Sequence, residues 1–406
     1  MVNNGMPSML GTNGLPLPSG SVAASGPVIG KTSGDVALLL PLSGNLAPVG
    51  QILENAAKLA FPPGTQPALD VRDTGGTAAG AAAAAQAAIA AGDGIILGPL
   101  TAAETQAVSP IAQAAGVNVL AFTNDSTLAA PGVWVLGITP TQQVQRIVQA
   151  AAGEGRTQLA ALLPDSDFGH LLSDALNAQT SALNETPPQI TFYEPGFSAL
   201  NQAVEQLSDF ADRGQGLVDR IKAARALNTA AGRTLAHRLE REPTPPPSFN
   251  ALFIGATSGD SLAELANFLP YYGVDPSQVQ LLGPSLWADE AVHMADQSVL
   301  QGALYAAPDP ADAVVFDAKY QAAYGAPPPD IANVAFDAAA LARAAAASGG
   351  YTSTVLTAPA GFTGTDGVMA LQPDGQVLRG LAVFKVAPGA PVITSPAPAT
   401  LAPPPG

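Results

Sequence analysis

The chain has 406 residues, 47% apolar and only 12% charged, with 32 acidic against 16 basic side chains and a formal net charge of -16. So acidic a surface makes nucleic acid and anionic membranes poor partners, and the absence of cysteine excludes disulfides, thiolate metal sites and a cysteine nucleophile. No stretch approaches the roughly 20 unbroken apolar residues of a membrane-spanning helix.

Residues 1–34 are rich in Gly, Ser, Pro and Asn, carry Lys31 as their one charge, and read as a disordered leader. Met1–Leu10 lacks the basic start and apolar block of a secretory signal. A Ser/Gly-rich leader before the first core strand suits an exported, lipid-anchored protein whose signal lies upstream of this chain. From Val36 onward, short apolar runs alternate with helical stretches. Val36–Leu40 precedes an apolar-periodic segment at 49–60, and 68–71 precedes a segment with 11 Ala in residues 77–91, a strong helix former of little bulk. Runs at 94–97, 117–122, 133–137, 159–163, 190–193 and 251–254 continue the series. Strands alternating with helices of about ten residues predict parallel βαβ units and an α/β fold.

Residues 208–247 differ in kind. Between Ser208 and Glu242 lie Arg213, Arg220, Lys222, Arg225, Arg233, Arg238 and Arg241 with five acids, so this stretch is basic while the remainder is strongly acidic. Leu217, Ile221, Ala224 and Leu227 recur at helical spacing, and Pro243 and Pro245–Pro247 end any helix. The pattern predicts an inserted helical hairpin, either a solvated decoration or a partner-binding arm. Residues 387–406, Pro- and Ala-rich, read as a disordered or extended tail.

Catalytic signatures are sparse. There is no phosphate-binding G-x-x-x-x-G-K-[ST], and Gly92-Asp93-Gly94 precedes a strand instead of following one. The three histidines lie far apart, giving no metal-ligand spacing. Asp165 and Asp167 follow a strand, where two carboxylates can serve as acid and base, but turn and helix-cap roles suit them better. The residues therefore predict no enzyme, no metal and no cofactor.

In open parallel sheets, ligands bind beyond the carboxyl ends of the strands. Four such turns stand out: residues 41–44, 98–105, 122–127 and 165–169. Together with VALLLPLSG (36–44), GIILGPLTAAETQAVSPIAQAAGVNVLAFTND (94–125), LLPDSDFGHLLSDAL (162–176), LLGPSLW (281–287) and GFTGTDGVMALQPDGQVLRGLAVFKV (361–386), they resemble the type 1 periplasmic binding proteins of the leucine/isoleucine/valine-binding group. The resemblance implies two lobes, each a mostly parallel sheet flanked by helices, joined by three crossings near Thr139, Pro308 and Phe362. Lobe 1 would comprise 35–141 and 308–362; lobe 2 would comprise 142–307 and 363–386. A small ligand would sit in the cleft, lined in lobe 1 by Ser43, Thr101, Thr123, Asn124 and Asp125, and in lobe 2 by Asp167, Phe168, Thr257, Ser285 and Trp287, with Phe168 and Trp287 reading equally well as ordinary core.

Amino-acid binders of the family present a carboxylate to the ligand ammonium where this chain has Ser285, and a serine where it has Ala102. The first change removes a charge-assisted bond that a zwitterion would want. Within the family, GPLTAAET, GVNVLAFTND and LLGPSLW are most similar to the penicillin-binding-protein activator lipoproteins. The resemblance thus implies a periplasmic, non-enzymatic module with two possible roles: the solute-binding component of an ABC-type importer or sensor, or a partner of a peptidoglycan synthase.

Overall fold

A run of Val, Ala and Leu with no polar residue suits a strand covered on both faces. In the computed structural model, which describes residues 29–242 and 244–401, Val36–Leu40 forms β1 with all five side chains buried. It is followed by α1 (Ala47–Ala60), β2 (Leu69–Asp73), α2 (Ala78–Ala91), β3 (Ile95–Leu97), α3 (Ala102–Ala115), β4 (Asn118–Ala121) and β5 (Val133–Val135). The middle of the chain runs through α4 (Pro140–Gly153), β6 (Leu159–Pro164), α5 (Asp167–Ala182), β7 (Gln189–Tyr193), α6 (Phe197–Ser208), α7 (Phe210–Ala226) and α8 (Ala230–Leu239). It continues with β8 (Ala251–Ile254), α9 (Gly259–Tyr271), β9 (Gln280–Gly283), α10 (Trp287–Ala295) and β10 (Leu304–Ala307). The last stretch holds α11 (Pro310–Tyr324), α12 (Ala332–Ala347), α13 (Ser353–Leu356), β11 (Phe362–Gly364), β12 (Gly367–Leu371), β13 (Val377–Arg379), β14 (Ala382–Lys385) and β15 (Val392–Ser395).

These elements form two units. Among the described residues, the first takes in 29–139, Pro308–Gly380 and 397–401; the second is Pro140–Ala307 with Leu381–Pro396. The sequence assigned residues 363–380 to the second lobe, whereas they belong to the first unit, so the third passage falls after Gly380 and a fourth follows Pro396. The physical reason is burial. Phe362, Met369, Leu371 and Val377, from the antiparallel β11–β12–β13 sheet, share one core with β1 and α12.

The first unit is a parallel sheet in the order β2-β1-β3-β4-β5. One face packs on α1 and α12 through Leu38, Leu40, Leu53, Ala335 and Ala339. The other packs on α2 and α3 through Leu39, Ile96, Ala81, Ala85 and Val108. Alanines on α2 keep its buried face flat, and Thr77 caps the helix by accepting from the Gly80 N–H at 3.1 Å. A polar group is buried between α12 and the β11–β13 strands: Asp337 accepts from the Thr365 N–H and hydroxyl at 2.7 and 3.0 Å, Asn333 donates to Asp366 at 2.8 Å, and Arg379 donates to the Leu136 carbonyl at 2.7 Å. Burial, followed by the charge of Asp366, holds the Asp337 carboxyl above the ordinary range.

The second unit is a seven-stranded sheet in the order β15-β14-β10-β9-β8-β6-β7, parallel from β10 to β7, with β14 and β15 antiparallel at one edge. Of the disordered and extended alternatives for the tail, β15 gives the extended one over Val392–Ser395. Val392–Ser395 pairs with β14, and Arg146 of α4 donates to the Leu381 carbonyl at 2.7 Å, the Ser395 hydroxyl at 2.7 Å and the Pro396 carbonyl at 3.1 Å. One guanidinium thereby satisfies carbonyls at the start of β14 and the end of β15.

The leader needs a correction. Residues 1–28 lie outside the described residues, but 29–34 are pinned rather than disordered: Ser353 and Tyr351 donate their backbone N–H groups to the Ile29 and Lys31 carbonyls at 2.6 and 2.7 Å, and Asn118 donates to the Ile29 carbonyl at 3.2 Å. The helical hairpin forms as α7 and α8, around a small core of Ala224, Ala236 and Leu239 with Leu217 and Ile221. Leu227, expected on that face, caps α7 and is 60% exposed. Arg213 anchors the base of the hairpin, donating to the Ser208 and Tyr272 carbonyls at 2.6 and 2.7 Å.

Candidate functional site

In the first unit, the carboxyl ends of β1, β3 and β4 carry three of the turns singled out in the sequence, and the end of β2 lies beside the first of them. After β1, Ser43 is exposed, and Asp73 at the end of β2 accepts from the backbone N–H groups of Leu42 (2.8 Å), Ser43 (3.1 Å) and Gly75 (2.8 Å). The Ser43 hydroxyl, then the Gly75 amide, hold the Asp73 carboxyl below the usual carboxylate range. Asp73 organises the first turn, and sequence reasoning passed over it. Its signal was the Asp-Thr-Gly-Gly run at 73–76, which marks a turn.

After β3, Gly98 sits at φ +83°, and a Cβ there would lie 2.3 Å from the Leu39 carbonyl oxygen, so only glycine fits. Thr101 and Glu104 form a reciprocal capping box at the start of α3. The Glu104 carboxylate is fully buried and accepts from the Thr101 N–H at 3.0 Å, the Thr101 hydroxyl at 2.8 Å and the Thr74 hydroxyl at 2.5 Å. Thr101 is thus spent on its own helix start, and Glu104 ties that start to the turn after β2. After β4, the buried Thr123 hydroxyl accepts from the Asp125 N–H at 3.2 Å. Asp125 in turn accepts from the Thr127 N–H and hydroxyl at 3.0 and 2.6 Å. Asn124, between them, is exposed.

In the second unit, the equivalent strand ends are those of β6, β8 and β9. Asp165 pairs with His170 at 2.9 Å, and Ser166 caps α5 by accepting from the Gly169 N–H at 3.2 Å. Asp165 is thus paired with a side chain of α5 itself. Asp167 is exposed in the first turn of α5, and Phe168 and Thr257 are half-buried. The half-buried Ser285 donates its backbone N–H to Gln143 at 2.9 Å, a buried side chain the sequence did not single out.

Trp287, for which a cleft-lining and a core role are equally open in the sequence, is fully buried: its indole N–H donates to the Ala256 carbonyl at 2.8 Å, and its ring lies where a Cβ on Gly283 would stand, 2.2 Å away. It is a core residue of the second unit. The exposed or half-buried members of the expected set are Ser43, Thr101, Asn124 and Asp125 in the first unit, and Asp167, Phe168, Thr257 and Ser285 in the second. Their chemistry is that of hydroxyl, amide and carboxylate groups, which suits hydrogen bonding to a small polar molecule. Among the described residues, no group of three His, Cys, Asp or Glu is placed to hold a metal ion.

The family described as periplasmic binding protein matches residues 35–391. Among curated proteins, an uncharacterized protein of Rickettsia prowazekii, RP748, is 26% identical over 179 residues, covering 44% of this chain and 48% of its own length. The present chain therefore spans about half of that relative. A putative branched-chain amino acid ABC transporter protein from Rhodospirillum rubrum superposes with a TM-score of 0.67 at 18% identity, covering 89% of this chain and 99% of that one. Full-length LpoA from Haemophilus influenzae superposes with a TM-score of 0.64 at 17% identity, covering 90% of this chain and 60% of that one. The C-domain of LpoA, described as a regulator of PBP1A, gives 0.62 at 18% identity and is covered over 99% of its length. At these identities, the solved structures establish a shared fold.

Proposed function

Because the chain belongs to the periplasmic binding protein family, we propose that it is a non-enzymatic binding module for a small polar ligand of the amino-acid, peptide or cell-wall-fragment class. It would serve as the solute-binding component of an ABC-type importer or sensor in the periplasm, exported or lipid-anchored. The observation that carries this reading is the set of polar side chains at the strand ends: Ser43 and Asn124 in the first unit, and Asp167, Thr257 and Ser285 in the second. Phe168 supplies the apolar contact. A ligand that prefers the folded state raises the melting temperature by mass action, by about 2.7 kcal/mol of added stability at a hundredfold excess over Kd. Thermal melts against amino acids, dipeptides, sugars and muropeptides test the reading. A shift that Asn124→Ala and Ser285→Ala both diminish supports it, and no shift with any compound overturns it.

A second reading is that the module acts by contact on a peptidoglycan synthase. Two observations favour it: the likeness to the LpoA C-domain, and the commitment of Thr101, Thr123 and Asp125 to their own turns, which leaves less chemistry for a solute. Affinity capture from envelope extract that enriches a peptidoglycan synthase supports this reading. Capture that returns a permease and no synthase opposes it.

A further inference from the structure

The first unit also contains a cavity at the amino-terminal end of its sheet, the end away from the strand-end turns. Its volume is about 440 Å³, within the range of small-molecule sites. Residues just before β1 (Thr32, Ser33 and Asp35), before β2 (Gln66) and before β3 (Asp93) line it, with Tyr351 beyond α12. Its walls are fixed by hydrogen bonds: Asp35 accepts from the Ala68 N–H at 2.9 Å, Gly94 donates to the Asp35 carbonyl at 2.8 Å, and the Tyr351 hydroxyl donates to the Gly34 carbonyl at 3.0 Å.

Charge defines what this cavity can accept. Its lining holds two carboxylates and no Lys or Arg. Asp93 is 5% exposed, and its Oδ2 has no hydrogen-bond partner. The nearest cation, Arg72, is taken by Asp70; its Nε stands 4.0 Å from Asp93 Oδ2 and is likewise unpartnered. Asp93 thus contributes to the lining a carboxylate that Arg72 offsets only from 4.0 Å. Ala91, Ala346 and Pro67 add apolar wall, so the complement is a positive end on a short hydrocarbon body.

We propose that this cavity is a binding site for a small organic cation bearing a primary ammonium group, with Asp93 and Asp35 as its counter-charges. The site does not rest on the solute-binding reading, since it lies within the first unit and uses none of the strand-end residues. Burial, followed by the hydrogen bond and charge of Asp70 and the charge of Asp35, pushes the Asp93 carboxyl up to about 6 against the opposing pull of Arg72. Binding should therefore strengthen as pH rises from 5 to 8.

Calorimetric titration of the full chain with 1,4-diaminobutane, n-butylamine and, as the sign control, butyrate tests this. Saturable binding of the two amines at pH 8, none of butyrate, and at least tenfold weaker amine binding at pH 5 are expected. Asp93→Asn should weaken amine binding at least tenfold. Ser33→Phe, which fills the cavity from an exposed position without changing charge, should do the same. Circular dichroism confirms that both variants are folded. Absence of amine binding at millimolar concentration, equal binding of butyrate, or amine affinity unchanged in both variants would overturn the proposal.

Discussion

Replacing Trp287 with phenylalanine separates a core role from a ligand-contacting one. In the structure the indole is fully buried, fills the space left by Gly283 and donates to the Ala256 carbonyl at 2.8 Å. Phenylalanine keeps the apolar contact but cannot donate, so the Ala256 carbonyl loses its partner at a cost of about 1–3 kcal/mol. The smaller ring gives up roughly another 1 kcal/mol of buried apolar surface. The expected loss is about 2–4 kcal/mol, a fall in melting temperature on the order of 10 °C for a unit of this size. Urea unfolding followed by far-ultraviolet circular dichroism measures it. The protein has two tryptophans, and the other, Trp134, is buried in the first unit, so residual fluorescence of the variant reports that unit separately. Stability unchanged to within about 0.5 kcal/mol, with altered ligand affinity, would refute the assignment of Trp287 to the core.

Two further perturbations probe the buried carboxylates. Glu104→Gln replaces an acceptor of three hydrogen bonds with an amide whose nitrogen cannot accept. It should cost about 1–3 kcal/mol in denaturant unfolding, with a preserved midpoint counting against the capping-box role. Asp337 has a folded pKa raised by burial and by Asp366, so the folded state holds its proton more tightly than the unfolded chain. Its contribution is therefore most favourable at or below the unfolded pKa near 3.8 and declines as pH rises towards the folded value. Asp337→Asn imitates the protonated carboxyl and should flatten the fall in melting temperature between pH 5 and pH 8. Parallel pH profiles for the two proteins would contradict this.

Much of the fold was legible because it rests on local pattern. The uninterrupted apolar run of β1, the Ala-rich α2 between Thr77 and Gly92, and the Thr101/Glu104 spacing at α3 each declare their structure within a few residues. What stayed hidden depends on distant partners. Trp287 read equally well as a stacking platform or as core, because the carbonyl that takes its N–H belongs to Ala256 on another strand end. Residues 29–34 looked featureless because their hydrogen bonds go to Asn118, Tyr351 and Ser353. The tail from Val392 was read by its Pro and Ala content, while its order comes from β14 and Arg146. Residue type names the hydroxyls and carboxylates at the turns, but whether each faces solvent or its own helix start depends on neighbours that residue type does not show.

The interleaving of the two units carries a consequence for biosynthesis. One face of the first sheet is covered by α2 and α3, encoded between β1 and β5, and can close soon after those residues leave the ribosome. The opposite face has only α1 nearby in sequence; Phe316, Ala335, Phe336 and Met369, which complete it, arrive much later. At a synthesis rate of about 5–20 residues per second, the roughly 180 residues from Leu136 to Phe316 take about 10–35 s to appear. For that interval the nascent chain carries Leu38, Leu40, Ile95, Leu97 and Leu120 on a half-roofed sheet. This is the window in which a holding chaperone would be most needed and in which slow translation would be most damaging.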